Sequence, residues 1–187
     1  MQLYIKNMVC DRCKLVVKAE LEKLDLHPVN LALGEVDLQE EEVPAKTLQQ
    51  LEQALHNLGF ELLGDKKDRL VENIKHIVIE LVHRTDDIPK EKYSHIIADK
   101  LNYDYSHLSK LFSEAEGVTL EHYIINQKTE RVKELLTYNE LSLKEIAYLM
   151  GYSSVAHLSA QFKKVTGLTP SQFKSQKNKT RKPLDAV

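Results

Sequence analysis

Cys10 and Cys13 are the only cysteines in the 187 residues, and they stand in the run Asn7-Met8-Val9-Cys10-Asp11-Arg12-Cys13. Sulfur is a soft donor, so two thiolates at this spacing suit a soft cation such as Cu(I) or Ag(I), which two sulfurs satisfy. Zn(II) or Cd(II) takes four ligands. No second cysteine pair and no His-x3–5-His is present, so a closed site for either needs another chain. A single close pair cannot build a disulfide framework, which leaves metal binding, redox chemistry or an incidental pair. A thioredoxin-like redox pair usually has Trp before the first cysteine and Pro inside; Val9 and Asp11-Arg12 do not match.

Other chemistry is sparse. There is no Gly-rich phosphate loop, no His-Glu-x-x-His and no nucleophile elbow, so nothing reads as an enzyme. His76 and His83 share one face of a predicted helix, where a solvated or core-edge histidine is the ordinary case. The net charge of −2 hides an asymmetry: residues 1–64 carry 6 Lys/Arg against 11 Asp/Glu, residues 65–187 carry 20 against 17. The basic excess gathers at the far end, in Lys163, Lys164, Lys174, Lys177, Lys179, Arg181 and Lys182. A polyanion is drawn to that end, although a lysine-rich tail also serves solubility.

The elements that hold the cysteines come next. Residues 2–6 alternate like a strand, and residues 11–24 place Val16, Val17, Leu21 and Leu24 at helical spacing. Both thiols then sit on a loop at a helix N-terminus, where the dipole favours thiolate. Val29, Leu31 and Leu33 alternate, Gly34 offers a turn, and Val36 and Leu38 continue as a further strand. Leu48, Leu51, Leu55 and Leu58 share a helical face, Gly59 ends that helix, and residues 60–63 read as a last strand. The order β-α-β-β-α-β within residues 1–64 predicts a ferredoxin-like domain, an antiparallel sheet with two helices on one side.

Residues 64–69 are polar and mark the expected boundary. Beyond it the strand signal stops, and Leu70, Ile74, Ile77, Val78, Leu81 and Val82 define a long amphipathic helix. Further helices are predicted near 93–101, 104–115, 119–137, 142–149, 153–165 and 170–176. Ser142-x-x-Glu145 is a capping box, and Thr169-Pro170 supplies a cap and a first-turn proline. The fold class is therefore α+β, with an all-α domain over residues 65–177 and a disordered tail over 178–187. The hydrophobic fraction of 42% is enough to bury a core, and no apolar run approaches the roughly 20 residues of a membrane span. The first six residues lack the plan of a signal peptide, so the expected location is the cytoplasm.

The helical part repeats itself. With an offset of 50, His107-Leu108-Ser109 falls on His157-Leu158-Ser159, Phe112 on Phe162, Gly117 on Gly167 and Tyr103 on Ser153. Each copy is helix, turn, helix, with Asn102 or Gly151 at the corner; both types tolerate the left-handed conformation. A helix-turn-helix needs an alanine where its helices touch, a turn-former, and a second helix apolar only on its inner face. Ala147, Gly151, Leu158 and Phe162 meet those needs in the second copy. The outward residues expected on DNA bases are Tyr105, Ser106, Ser109 and Lys110 in the first copy and Ser153, Ser154, Val155, His157 and Gln161 in the second. Lys128, Arg131, Lys163 and Lys164 suit phosphates, which position without specifying. His107 and His157, each before Leu, are expected to pack or bond locally in both copies, and Tyr152 and Phe162 read as core aromatics.

The stretches Glu130-Arg-Val-Lys-Glu-Leu-Leu136, Leu143-Lys-Glu-Ile-Ala-Tyr-Leu-Met-Gly-Tyr-Ser-Ser154 and Gln161-Phe-Lys-Lys-Val-Thr-Gly-Leu-Thr-Pro-Ser-Gln-Phe-Lys174 resemble the AraC/XylS family of regulators. The resemblance covers residues 65 to about 177. It implies seven helices, two recognition helices in successive major grooves, an operator of double-stranded DNA, and RNA polymerase as a partner. Position 160 departs from the family, with Ala where an arginine often stands, so a bidentate contact to guanine is missing there. Val155 and Ala156 offer apolar contact only.

Residues 1–64 resemble the heavy-metal-associated domain of copper chaperones and metal-pumping ATPases, through Met8-x-Cys10-x-x-Cys13 after the first strand and Leu58-Gly-Phe60-Glu61 after the second helix. That resemblance implies Cys10 and Cys13 as ligands, Met8 as a buried support under the loop, and Phe60 shielding the site. The family's glycine before Met is Asn7 here. Together the readings describe a transcription regulator that senses a soft metal and binds DNA, with a homodimer paired through a shared metal as one available switch. The rivals are an AraC-type regulator answering to an organic effector or to redox state, and a metal-delivery protein that does not act on DNA.

Overall fold

The computed structural model describes residues 1–64, 66–84, 91–176 and 180–187. They form two compact units, Met1–His76 and Ile77–Val187.

In the first unit the chain runs β1 (Gln2–Lys6), α1 (Asp11–Lys23), β2 (Pro28–Ala32), β3 (Glu35–Leu38), α2 (Ala45–Asn57) and β4 (Glu61–Leu62). The strands form one sheet in the order β2-β3-β1-β4, with each neighbouring pair antiparallel. Alternation decides its faces. Leu3 and Ile5 on β1 and Val36 and Leu38 on β3 point inward, where Val17 and Leu21 of α1 and Leu51 and Leu55 of α2 close over them. Leu3 lies opposite Val36 in the register, so the two strands present one apolar row to the helices. Met8 and Phe60 complete this core from the ends of β1 and α2.

The other sheet face is polar, and part of α3 (Lys66–Ile79) lies on it. The Arg69 guanidinium sits 4.4 Å from the centre of the Tyr4 ring. The Asn7 N–H donates to the Glu72 carboxylate at 2.9 Å. The His76 ring closes on Gly34, which adopts φ +80 in the β2–β3 turn. The first unit therefore runs to His76, not to the polar stretch at 64–69, because charged side chains of α3 find partners on the sheet's outer face. Asp65 lies outside the described residues.

In the second unit α3 passes into a wider π-helical turn, Glu80–Arg84, so the predicted long helix changes its winding before Val82. Then follow α4 (Tyr93–Leu101), α5 (Tyr105–Glu116), α6 (Leu120–Tyr138), α7 (Leu143–Leu149), α8 (Val155–Thr166) and α9 (Pro170–Ser175). Ile97, Leu108, Phe112, Leu120, Val132, Ile146, Leu158 and Phe162 form the centre of its core. Both capping boxes exist as hydrogen-bonded pairs, Ser142 with Glu145 and Thr169 with Gln172.

The tail departs from expectation. Residues 177–179 lie outside the described residues, but 180–187 return to α6 rather than being disordered. The Lys182 N–H donates to Glu130 at 3.0 Å, and Gln127 Nε2 donates to the Leu184 carbonyl at 3.0 Å. Gln127 and Glu130 are buried polar groups on α6. Such groups need partners, and the returning backbone adds one to each, beside His83 and Tyr123 for Gln127 and Lys133 for Glu130. Among the described residues no helix is long and apolar enough to cross a membrane.

Candidate nucleic-acid interface and cysteine pair

Each predicted corner is present, and the two are built alike. Asn102 at φ +54 ends α4, and Gly151 at φ +68 follows α7. At the first corner the Tyr103 N–H reaches the Ala98 carbonyl; at the second the Tyr152 N–H reaches that of Ala147, at 2.8 Å. These bonds reveal a finer repeat than the uniform offset of 50. Before the corner the copies match at 49, with Ala98 on Ala147 and Tyr103 on Tyr152; after it they match at 50, with Leu108 on Leu158. The second turn is one residue longer, and Ser153 has no counterpart.

The histidines follow from that geometry. His107 stacks on Tyr103 with ring centres 5.8 Å apart, and His157 meets Tyr152 edge-on at 5.3 Å. His157 Nδ1 also lies 3.1 Å from the Ser153 hydroxyl. Each histidine thus packs locally against the tyrosine of its own corner.

The second helix of each corner buries one face and leaves the other open. On α5, Leu108, Leu111 and Phe112 are buried while Ser106 and Lys110 are exposed and Ser109 is half-buried. On α8, Leu158 and Phe162 are buried; His157, Lys163 and Lys164 are exposed, and Val155 and Gln161 are half-buried. Ser153 and Ser154 are exposed just before α8, where the Ser154 hydroxyl caps the helix by accepting from the His157 N–H at 3.1 Å. Lys110 pairs loosely with Glu114 at 3.9 Å, and both side chains are exposed, so solvent screens the pair.

Three expected contacts are committed elsewhere. The Tyr105 hydroxyl donates to Glu121 at 2.9 Å, and burial with that carboxylate pushes its pKa well above the usual tyrosine range. Arg131 bonds Glu134 at 2.8 Å on its own helix. Lys128 points inward and donates to the Met150 carbonyl at 3.0 Å. Helical periodicity puts these residues near the right surface but does not show which neighbour takes their hydrogen bonds. Tyr93 and Glu72, absent from the predicted sites, prove to be polar partners at joints; no periodic signal marks them.

Cys10 occupies the N-cap position of α1, and Cys13 lies in its first turn. Both are half-buried, their sulfurs 3.5 Å apart, and the Cys13 N–H donates to the Cys10 carbonyl at 3.0 Å. Burial pushes the Cys13 thiol up, and the adjoining Cys10 sulfur adds to the rise against backbone hydrogen bonds that lower it. Desolvation therefore outweighs the backbone hydrogen bonds at this thiol. Met8 is fully buried and Phe60 nearly so, both within the core of the unit. The loop's root is pinned: Asn7 takes φ +70, its side-chain amide donates to the Gly59 carbonyl at 2.9 Å, and its N–H goes to Glu72. Among the described residues no group of three or more His, Cys, Asp or Glu converges. The donor set is two sulfurs, which fits a two-coordinate soft cation and does not fit a closed four-ligand site within one chain.

Residues 97–176 match a family model described as a helix-turn-helix domain. An uncharacterized HTH-type transcriptional regulator of Bacillus subtilis, YtdP, is 25% identical over 160 residues, covering 81% of this chain and 20% of the relative. An uncharacterized HTH-type transcriptional regulator of Staphylococcus aureus is 33% identical over 81 residues, 43% of this chain and 11% of its own length. The chain thus spans a fifth or less of these relatives. The solved C-terminal domain of AraT, a response regulator from Geobacillus stearothermophilus, is 25% identical; the likeness covers 59% of this chain and 87% of that one, with a TM-score of 0.49.

Proposed function

We propose that this chain regulates transcription in answer to a soft metal ion, starting from the match of residues 97–176 to a helix-turn-helix domain, which is read here as an AraC-type DNA-binding module. The observation that carries the reading is the pair of equivalent corners, each followed by a helix with one buried and one open face. In the proposal α5 and α8 enter successive major grooves. Ser106, Ser109 and Lys110 meet bases from α5; Val155, His157 and Gln161 do so from α8, with Ser153 and Ser154 at its start. Lys163 and Lys164 take phosphates. Tyr105, Lys128 and Arg131 support the frame.

The test uses the full chain and duplexes selected by it from a random pool. The two lysine–phosphate contacts predict a salt slope near −1.8, so affinity falls about 12-fold between 50 and 200 mM salt. The variant Lys163→Gln/Lys164→Gln lowers that slope by about two units while leaving the preferred sequence unchanged. Salt-insensitive binding, or an unchanged slope in the variant, sinks the DNA assignment.

The first unit is read as a ferredoxin-like, heavy-metal-associated sensor in which Cys10 and Cys13 hold Cu(I) or Ag(I). Cys10 and Cys13 would hold the ion, which would supply a soft positive charge for the two thiolates. The residues supply a fixed loop root at Asn7, an apolar floor at Met8 and Phe60, and partial exclusion of water. The paired half-buried sulfurs support this reading, as does the pinning of Asn7 by Glu72 of α3, a helix that continues past His76. A ligand shifts an equilibrium only through a difference in affinity for the two states, so loop and α3 must change together if metal is to act on DNA binding. Wild-type chain dialysed against buffered Cu(I) is expected to retain one ion per chain through gel filtration, and Cys10→Ser/Cys13→Ser none. Equal retention by both removes the cysteines from the function.

A further inference from the structure

Lys128 lies where the two bihelical corners meet the long helix α6. Its ammonium donates to the carbonyl of Met150 at 3.0 Å. Met150 ends α7, so this carbonyl belongs to the open acceptors of a helix C-terminus, where a cation is favoured. The same ammonium lies 4.7 Å from the ring centre of Tyr93, the first residue of α4, and 5.5 Å from that of Tyr152, just past the second corner. A cation over an aromatic face is attracted by the ring's quadrupole, more strongly when partly desolvated. Burial pushes both phenols up to about 12, so they face the cation as neutral rings near neutral pH. One side chain thus touches the first helix of the first corner and the end of the second corner from the helix that joins them.

We infer that Lys128 is a positioning residue that sets the spacing between the two DNA-reading helices, and hence the separation of half-sites the protein accepts. α4 and α7 are the helices that carry α5 and α8 through their corners. A rotation of one corner about α6 would pull Tyr93 or Tyr152 off the ammonium, or break its bond to Met150. The apolar core alone constrains such rotation less, because apolar contact is not directional. A hydrogen bond and two cation–ring contacts are directional, and they converge on one atom.

The proposal rests on the two-groove reading above. Its test takes duplexes selected by the full-length wild type from a random pool, maps the two half-sites by footprinting, and inserts or deletes one and two base pairs between them. One base pair turns the half-sites by about a tenth of a helical turn. The wild type is expected to lose about tenfold in affinity per step. Lys128→Met, which keeps the length and apolar stem, is expected to bind single half-sites as the wild type does and to vary less than about threefold across the spacing series. Lys128→Arg, which can still donate and stack, is expected to restore most of the preference. Should Lys128→Met fail to fold, Tyr93→Leu is read the same way, with partial loss of the preference expected. A wild-type preference retained in Lys128→Met, or in Tyr93→Leu where it replaces it, overturns the proposal alone. A wild-type footprint on one half-site overturns the two-groove reading and the proposal with it.

Discussion

Phe162→Ala is expected to destabilise the second unit by about 3–5 kcal/mol, the cost of emptying a large, well-packed aromatic site. Phe162 is 1% exposed on α8 and meets Phe173 of α9 edge-on, with ring centres 5.6 Å apart. α9 is a short helix, so this ring pair supplies much of what holds it to α8. The loss combines the transfer free energy of the ring with a cavity that its neighbours fill only in part. Phe112 is the counterpart in the first copy, fully buried and 5.1 Å from the Tyr123 ring. Phe112→Ala is therefore expected to cost a similar amount. Urea unfolding of the full chain measures both, with Tyr148→Ala as the control. Tyr148 is 74% exposed, and its truncation is expected to stay within about 0.5 kcal/mol. A loss below about 1 kcal/mol for either phenylalanine would contradict its place in the core.

Gly34→Ala carries the second large effect, and its cost has two separable sources. The residue sits at φ +80, where a Cβ is strained by about 1–2 kcal/mol. That Cβ would also lie 2.1 Å from His76 Cε1, far inside van der Waals contact. The overlap adds about 1–3 kcal/mol unless the imidazole withdraws. His76 is held on α3 next to Glu72, with Nε2 and Oε1 3.6 Å apart, so withdrawal disturbs the face that also pins Asn7. The double-mutant cycle separates the terms: in a His76→Ala background the Gly34→Ala penalty is expected to shrink to the backbone part, about 1–2 kcal/mol. An unchanged penalty there would show that the helix does not press on the turn. A neutral Gly34→Ala would remove both terms.

Much of the architecture was legible beforehand. Period-2 and period-3.6 patterns placed the six elements of residues 1–64 and the helices from α4 to α9 within a few residues, because burial of one face is a local, repeating constraint. The corner residues were legible through backbone chemistry, since Asn102 and Gly151 tolerate a positive φ. One cap was readable from residue types three apart, Ser142 and Glu145, and the other from Thr169 standing before Pro170. The second turn's extra residue left a trace in the sequence, where Ala98 precedes its offset-50 match by one residue, and the corner hydrogen bonds place that step at the turn.

By itself, then, the sequence determined which segments are helix or strand, which face of each is apolar, where the chain turns, and that two sulfurs stand together. Tertiary structure alone decided the polar partnerships: Lys128 to Met150 and two tyrosines, Tyr105 to Glu121, Glu72 to the root of the cysteine loop, and Gln127 and Glu130 to the returning tail. The physical reason is range. Apolar burial is non-directional and repeats along the chain, so it leaves a periodic trace; a hydrogen bond or ion pair joins two particular groups far apart in the chain, and no local pattern records which two.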